Sequence, residues 1–543
     1  MKNFKKFLSV TLAVAIAGLA VACNNDDGGT KPSEDEDQQQ EESEEPADDD
    51  KEQEDDQDDD VDKDDPYYEE TLDASDDEVE IDPENNVFSA DLPDYEGDGT
   101  VLIYHTIGGI PDDLDMVQEK MNEYTKEHMN VTVDFTYHGW DDYGSNMNTI
   151  INAGEAYDIA FGSSITGVDS FARDRVFADI SKLLPATPNL EALIPEELWT
   201  AMTLPNGEVY GVPAYKDSAA TQYWVWDKTK TDKYGIDYEG VVDMEDLTPI
   251  LKDAQEQGEE YPMLLTKNGI NSLLFEYEHL GGGVGVLFGE TEAVNMFEQE
   301  DVQKKFRILR EWYEEGLTNP DAPTVESFPD TTDELVGSAQ GFPGAEVAWG
   351  QTHKEGVYTY PRLGPMYTTG TVKGSFLVVS RASQNKQDAI KYIERLNVDH
   401  YLRNMFSFGI EGEHYEMVEG KENTIEKTEA ADRYSVPNYS QGQFMNLYVL
   451  DPNPADMWLK VNEMNQEAEV SELLGFNFDT SNVEDELAST ENTVDKYRTA
   501  LNTGSQDIDA VLDQMNEELK AGGIDTIIAE AQEQIDAFLA AKE

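Results

Sequence analysis

Residues 204–235 read LPNGEVYGVPAYKDSAATQYWVWDKTKTDKYG, two strand-like runs separated by a short polar and aromatic segment. Pro205-Asn206-Gly207 carries turn chemistry, and Val209, Gly211 and Val212 follow in extended form, which predicts a hairpin. Thr221 to Trp226 alternates and is rich in aromatic and β-branched residues, which predicts a second strand. Trp224 and Trp226 lie two apart on it and so share a face, most simply a face packed in a sheet. Between the runs stand Pro213, Ala214, Tyr215, Lys216, Asp217 and Ser218. A segment of this kind can carry the chain from one lobe to another while presenting Tyr215, Lys216 and Asp217 to a cleft between them.

Upstream, Gly97 to Tyr104 predicts a short buried strand. A helix opens at Pro111-Asp112-Asp113, with Leu114, Val117, Met121 and Tyr124 on one face, and Val131, Val133 and Phe135 alternate as the next strand. Strand, helix, strand begins a doubly wound α/β lobe, whose ligands meet the loops at the carboxyl ends of strands. That places Tyr104 to Thr106, with His105 among them, near such an edge, and Trp140 follows the next strand in His138-Gly139-Trp140. A helix over Asp141 to Ile151 follows, then a strand ending at Phe161 that delivers the loop Gly162-Ser163-Ser164. Asp158 is expected to fix the end of that strand.

Downstream, residues 241–318 read mainly as amphipathic helix, and Gly281-Gly282-Gly283-Val284-Gly285 lacks GxGxxG spacing, so it reads as a turn. Ala345 to Gly350 is expected as a strand bringing Trp349 to the cleft. Gly374 to Ser380 reads as a strand returning to the first lobe, with a helix over Asn385 to Leu396. At the end of the chain, Val511, Leu512, Met515 and Leu519 form one helical stripe, and Ile527, Ile528, Ile535 and Leu539 another.

A chain of 543 residues has room for two or more lobes. Its front has the three parts of an export signal: Lys2, Lys5 and Lys6, then an apolar run from Phe7 to Val21, then small residues before Cys23. Cys23 is the single cysteine, so no internal disulfide can form. From there to about residue 90, Asp, Glu, Gln, Ser, Pro and Gly predominate, which predicts a disordered acidic tether. No calcium-binding loop spacing occurs in it. From residue 101 on, 80 acidic residues still face 31 basic ones, a field that repels nucleic acid and anionic lipid. The seven histidines show no metal-ligand spacing, and HExxH, Walker and GxSxG motifs are missing. Carboxylates are too abundant for a glycosidase pair to be inferred from their presence.

Several runs resemble the extracellular solute-binding proteins of ABC importers for sugars. The Gly-x-x-Tyr-Gly-Val-Pro run at Gly207–Pro213, with Asp227-Lys228 and the Lys-Tyr-Gly-Ile that ends at Ile236, looks like their lobe crossover. Ala153 to Phe161 resembles their Gly-x-x-x-Asp-hydrophobic segment. Phe408-Gly409-Ile410-Glu411-Gly412, Gln443 to Asn446, Gly475 to Asp479 and the closing helices resemble the C-terminal region of the LipO-like bacterial lipoproteins. Leu19 to Cys23 resembles a lipobox, with Cys23 as the lipidated residue.

The resemblance implies an α/β, two-lobe, periplasmic-binding-protein-like fold of type II, with an interlobe cleft and extra C-terminal helices. The expected division is a signal peptide at 1–22 and a tether at 23–90. Lobe 1 is expected from 97–215 with 366–420, and lobe 2 from 216–365 with 421–543. Sugars are held by aromatic faces and planar polar groups. The expected ligand residues are His105, Trp140, Ser163, Ser164, Tyr215, Lys216, Asp217, Trp349 and Phe444. The implied function is capture of an oligosaccharide and its delivery to ABC permease subunits by a lipid-anchored monomer on the outer face of the cytoplasmic membrane. No cofactor, metal or nucleic acid is expected. A secreted polysaccharide-degrading enzyme, a carbohydrate-binding accessory protein and a sensor-associated binding protein are the alternatives.

Overall fold

The computed structural model describes residues 67–328, 334–350, 353 and 355–542; Cys23, the export signal and the acidic run up to residue 66 lie outside them. The first lobe grows from β1 (Val101–Ile107), α1 (Leu114–Met129) and β2 (Thr132–His138), with β1 and β2 parallel and in register from Val101↔Thr132 to Ile107↔His138. Helix α1 buries Val117, Met121 and Met129 against this pair. After α2 (Trp140–Ala153), β3 (Ile159–Gly162) pairs with the other edge of β1. Asp158 secures this arrangement. Its carboxylate accepts from the Ile103 amide at 2.8 Å, the Ser383 hydroxyl at 2.5 Å and the Asn385 amide at 3.1 Å. Short helices α3 (Ile180–Leu183), α4 (Pro188–Leu193) and α5 (Glu196–Ala201) then lead to β4 (Val212–Pro213).

The chain crosses at β5 (Ala220–Asp227), the middle strand of an antiparallel trio with β9 (Val336–Gly341) and β10 (Val357–Tyr367). Between β5 and β9 lie α6 (Lys228–Tyr234), α7 (Met244–Glu256), the meander β6 (Tyr277–Gly281), β7 (Val284–Leu287) and β8 (Ala293–Asn295), and α8 (Glu300–Glu314). The meander corrects the mainly helical reading of 241–318. Val284, Val286 and Ala293 bury one side of it, and Gly281 to Gly283 turn it with positive φ throughout. Ala345–Trp349 is helix α9, not a strand. Gly344 and Gly350 confine that run to little more than one turn, too short for alternation to announce it.

After α10 (Thr369–Val372), β11 (Phe376–Val379) runs antiparallel to both β3 and β4 and completes the sheet β2-β1-β3-β11-β4. Helices α11 (Lys386–Val398) and α12 (His400–Phe408) cover it. A small sheet of β12 (Tyr415–Met417), β13 (Thr424–Lys427) and β14 (Val449–Leu450) follows, then α13 (Met457–Gln466) and β15 (Glu469–Val470), which pairs with β10. Helices α14 (Glu484–Thr503), α15 (Ile508–Ala521) and α16 (Ile524–Lys542) end the chain.

The two cores are distinct. Leu102, Tyr104, Phe161, Tyr215, Leu377 and Phe406 belong to one, and Trp224, Trp226, Trp312, Val336, Met515 and Ile527 to the other. Two assignments change on this basis. Tyr434, Val436, Phe444, Leu447, Val461 and Met464 bury in the first core, so the stretch from 421 to α13 belongs to lobe 1 and only the chain from about Leu473 onward to lobe 2. Nor does the tether extend to residue 90. The Leu72 amide donates to Lys182 O, Ser75 to Pro185 O, Ala90 to Val398 O and Gly97 to Met129 O, at 2.9–3.3 Å. This strap has apolar punctuation within its acidity: Leu72, Val79, Ile81, Phe88 and Leu92 all pack on the first core. It covers α11, which is why that helix is buried on every side from Asp388 to Val398.

Candidate functional site

Strand β5 sets the geometry of the site. Gln222, Trp224 and Trp226 point one way and are fully buried, Trp224 donating its indole N–H to Val242 O at 2.9 Å. Alternation therefore turns Tyr223 to the opposite face. There its ring lies 5.9 Å from that of Trp349 on α9. Burial, followed by the charges of Glu346 and Asp217, pushes the Tyr223 hydroxyl up to about 12, which keeps it a neutral donor at physiological pH. Asp217 carries the Lys216 ammonium at 3.0 Å.

Beside this group opens a concavity of about 310 Å³. Tyr223, Thr359 and Pro361 form its sheet wall, Phe342 to Gly344 and Glu346 its second wall, and Pro454, Met457 and Lys460 its third. Phe342, at the exit of β9, reaches lobe 1 and packs its ring 5.9 Å from Trp458 and 6.4 Å from Phe444. The hollow is thus walled from both lobes, with aromatic faces, a carboxylate and an ammonium group around it.

A second aromatic surface lies at the carboxyl ends of β2 and β3. Trp140 is 42% exposed, and its indole N–H donates to the Tyr439 hydroxyl at 2.7 Å. The Tyr439 ring lies 5.8 Å from Trp140 and 6.4 Å from Phe161. The loop 438–444 links the two surfaces, since it carries Tyr439 at one end and Phe444 at the other.

The nine expected residues therefore divide. Lys216, Asp217 and Trp349 gather around Tyr223, and Trp140 stands on the second surface. Others do structural work. Ser163 is fully buried and accepts from the Ile165 amide at 3.2 Å, while the Ser164 amide is taken by Lys373 O at 2.9 Å. Tyr215 is buried, with its hydroxyl on Asn462 Oδ1 at 2.5 Å. Phe444 packs under Phe342 and Trp458. His105 is buried, its Nδ1 2.9 Å from His138 Nε2, and burial together with that neighbour pulls its pKa down to about 4. Sequence reasoning missed Tyr223, Phe342, Glu346 and Trp458. Tyr223 was within reach, because two tryptophans on the packed face of β5 leave Tyr223 on the other.

Among the described residues, no group of three or more His, Cys, Asp or Glu side chains is placed to hold a metal ion. No helix among them is long and apolar enough to cross a membrane.

Two α/β lobes joined by crossing strands, with a hollow walled from both, define a protein that takes up a solute between its lobes. The chain belongs to the bacterial extracellular solute-binding proteins, whose family profile matches residues 119–408. A domain of unknown function matches residues 472–540, the stretch that holds α14 to α16. A carbohydrate ABC transporter substrate-binding protein of Streptococcus pneumoniae is 30% identical over 466 residues, covering 82% of this chain and 92% of that protein. The crystal structure of the N-glycan transport solute binding protein NgtS from Streptococcus pneumoniae superposes with a TM-score of 0.76 at 27% identity, covering 82% of this chain and all of that one. Its complex with Man5GlcNAc gives a TM-score of 0.64 at the same identity, over 82% of this chain and 99% of that one.

Proposed function

We propose that the chain captures an oligosaccharide in the hollow between its lobes and presents it to the permease of an ABC importer. The observation that carries this reading is the convergence of Tyr223, Phe342, Glu346 and Lys460 on one hollow, with Trp349 and Asp217 beside Tyr223. Aromatic faces cover the C–H surfaces of a pyranose, and the carboxylates and ammonium groups pair with its hydroxyls. The relatives support the ligand class, since NgtS is described in complex with Man1GlcNAc and Man5GlcNAc. The chemistry is binding, with lobe closure around the solute and no bond made or broken. Lipidation at Cys23 would hold the protein at the outer face of the membrane as a monomer.

The test is tryptophan fluorescence and thermal stability of residues 67–543 against mannose-containing and other oligosaccharides, with mass spectrometry of each mixture afterwards. A saturable shift with intact ligand is expected. Tyr223→Ala should weaken binding at least about tenfold, the equivalent of about 1.4 kcal/mol. Shortened ligand would establish the enzyme reading instead, and no response to any oligosaccharide would refute the ligand class.

A further inference from the structure

The loop Asp82–Phe88 closes on itself. Asp82 and Val87 exchange backbone hydrogen bonds at 2.9 Å in both directions, and the Asp82 carboxylate accepts from the Asn85 amide side chain at 2.7 Å. Closed in this way, it turns three acceptors outward, and each is taken by a side chain of another element. Asn462 Nδ2 donates to Pro83 O at 2.9 Å and to Asn86 Oδ1 at 3.0 Å. Gln466 Nε2 reaches the same Pro83 O at 3.2 Å, and Gln443 Nε2 donates to Phe88 O at 2.8 Å.

Asn462 is the junction. It is 1% exposed, and while its nitrogen serves the loop its oxygen accepts from the Tyr215 hydroxyl at the lobe crossover. One turn on, Asn465 donates to Lys216 O at 2.5 Å and accepts from the Ala219 amide at 3.1 Å. The same helix, α13, places Met457 and Lys460 in the wall of the hollow and Trp458 against Phe342 and Phe444. A buried primary amide needs partners for both of its N–H groups, and for Asn462 the loop supplies both.

We propose that the loop Asp82–Phe88 is a latch on the ligand site: by holding Asn462 it sets the position of α13, and with it the affinity of the hollow. Asn462 and Asn86 are positioning residues, and neither needs to touch the ligand. A stretch whose composition resembles a spacer is in this way a determinant of binding. The idea rests on the oligosaccharide reading for its affinity readout alone.

The test uses the full chain with four variants. Asn462→Asp keeps the acceptor for Tyr215 and loses both donors to the loop. Asn86→Gly removes Oδ1 while suiting the left-handed backbone at that residue, where φ is 63°. Asn86→Asp restores an acceptor there, and the fourth variant combines Asn86→Gly with Asn462→Asp. Affinity for Man5GlcNAc and amide hydrogen exchange of residues 457–466 without ligand are measured for each. The expected result is about a tenfold loss of affinity in Asn462→Asp, a smaller loss in Asn86→Gly, recovery in Asn86→Asp and no further loss in the double variant. Exchange in α13 should quicken in step. Unchanged exchange across the series overturns the latch whether or not the glycan binds. Faster exchange with unchanged affinity overturns its link to the site. Failure of the unmutated chain to bind the glycan would refute the ligand reading while the exchange data still decide the latch.

Discussion

Replacement of Arg403 by methionine should destabilise the first lobe and loosen the loop that joins the two aromatic surfaces. Arg403 lies on α12 with no exposed surface. Its guanidinium donates from Nε to Gln443 O at 2.9 Å, from Nη1 to Gln441 Oε1 at 2.9 Å and Ser407 Oγ at 2.5 Å, and from Nη2 to Asn438 O at 3.0 Å. All four acceptors are neutral, so burial is uncompensated by an opposite charge and draws its pKa down to about 9, still protonated at pH 7. Methionine fills much of the same volume and strands the carbonyls of Asn438 and Gln443, while Gln441 Oε1 keeps the Ser407 hydroxyl at 3.3 Å. Orphaning the buried Gln443 carbonyl costs about 1–3 kcal/mol and the half-buried Asn438 carbonyl less, and relief of the desolvated charge returns part of that. The net loss should be about 1–2 kcal/mol. Arg403→Lys should do no better, because an ammonium group has three donors on a single centre and cannot reach all four acceptors. Urea unfolding at pH 7.5 reads the stability, and the fluorescence of Trp140, whose partner Tyr439 rides on the same loop, reads the local effect. A loss below about 0.5 kcal/mol with unchanged fluorescence would refute the clamp.

Two further predictions concern acid sensitivity and the wall of the hollow. The His105 ring is stacked on His138 and meets the edge of Tyr157, and its folded pKa of about 4 lies below that of an unfolded histidine. As pH falls below 6.5 the unfolded chain gains a proton that the folded one refuses, so stability falls, by about 2 kcal/mol at pH 5. His105→Asn should flatten that part of the pH dependence of the melting temperature; Glu334, whose buried carboxyl is raised to about 7 and acts in the opposite sense, is common to both proteins and cancels in the comparison. An identical pH slope in the variant would count against the assignment. At Gly344, φ is 102° and a Cβ would stand 2.5 Å from Met457 Cγ. Gly344→Ala should push Met457 into the hollow and weaken glycan binding about tenfold, which isothermal titration would detect; unchanged affinity would mean that this wall does not meet the ligand.

What could be read from the sequence followed from repeating patterns with a single dominant cause. The β1-α1-β2 unit is legible because Val117 and Met121 repeat at helical spacing while Val133 and Phe135 alternate, each pattern reflecting one buried face. Asp158 is legible as a strand-end fixture, and its carboxylate ties β1 to the turn at 383–385 as that role requires. The lobe crossover is legible because turn residues and an aromatic strand adjoin. Where two influences compete, local pattern is insufficient. Ala345 to Trp349 has the composition of a strand, and the glycines at either end hold it to one helical turn. The strap from Leu72 to Leu92 is acidic enough to read as solvated, yet a few apolar residues and its backbone bonds to lobe 1 anchor it.

The site residues show the same limit in sharper form. A sequence marks side chains capable of meeting a sugar, but it does not say which of them the fold has already committed. Ser163, Tyr215, His105 and Phe444 have suitable chemistry, and each is turned inward to hold a loop, a helix, a strand pair or an aromatic stack. The positions left open to a ligand are those whose neighbours on the same strand or loop supply the packing. Tyr223 is open because Trp224 and Trp226 bury the other face of β5, and Phe342 because β9 ends one residue before it. Lys216 can lean on Asp217 because the backbone around it is held by Asn465 and Ser218. In this fold, then, availability for binding is what remains after packing has been satisfied, and Asn462 and Arg403 are among the residues that satisfy it.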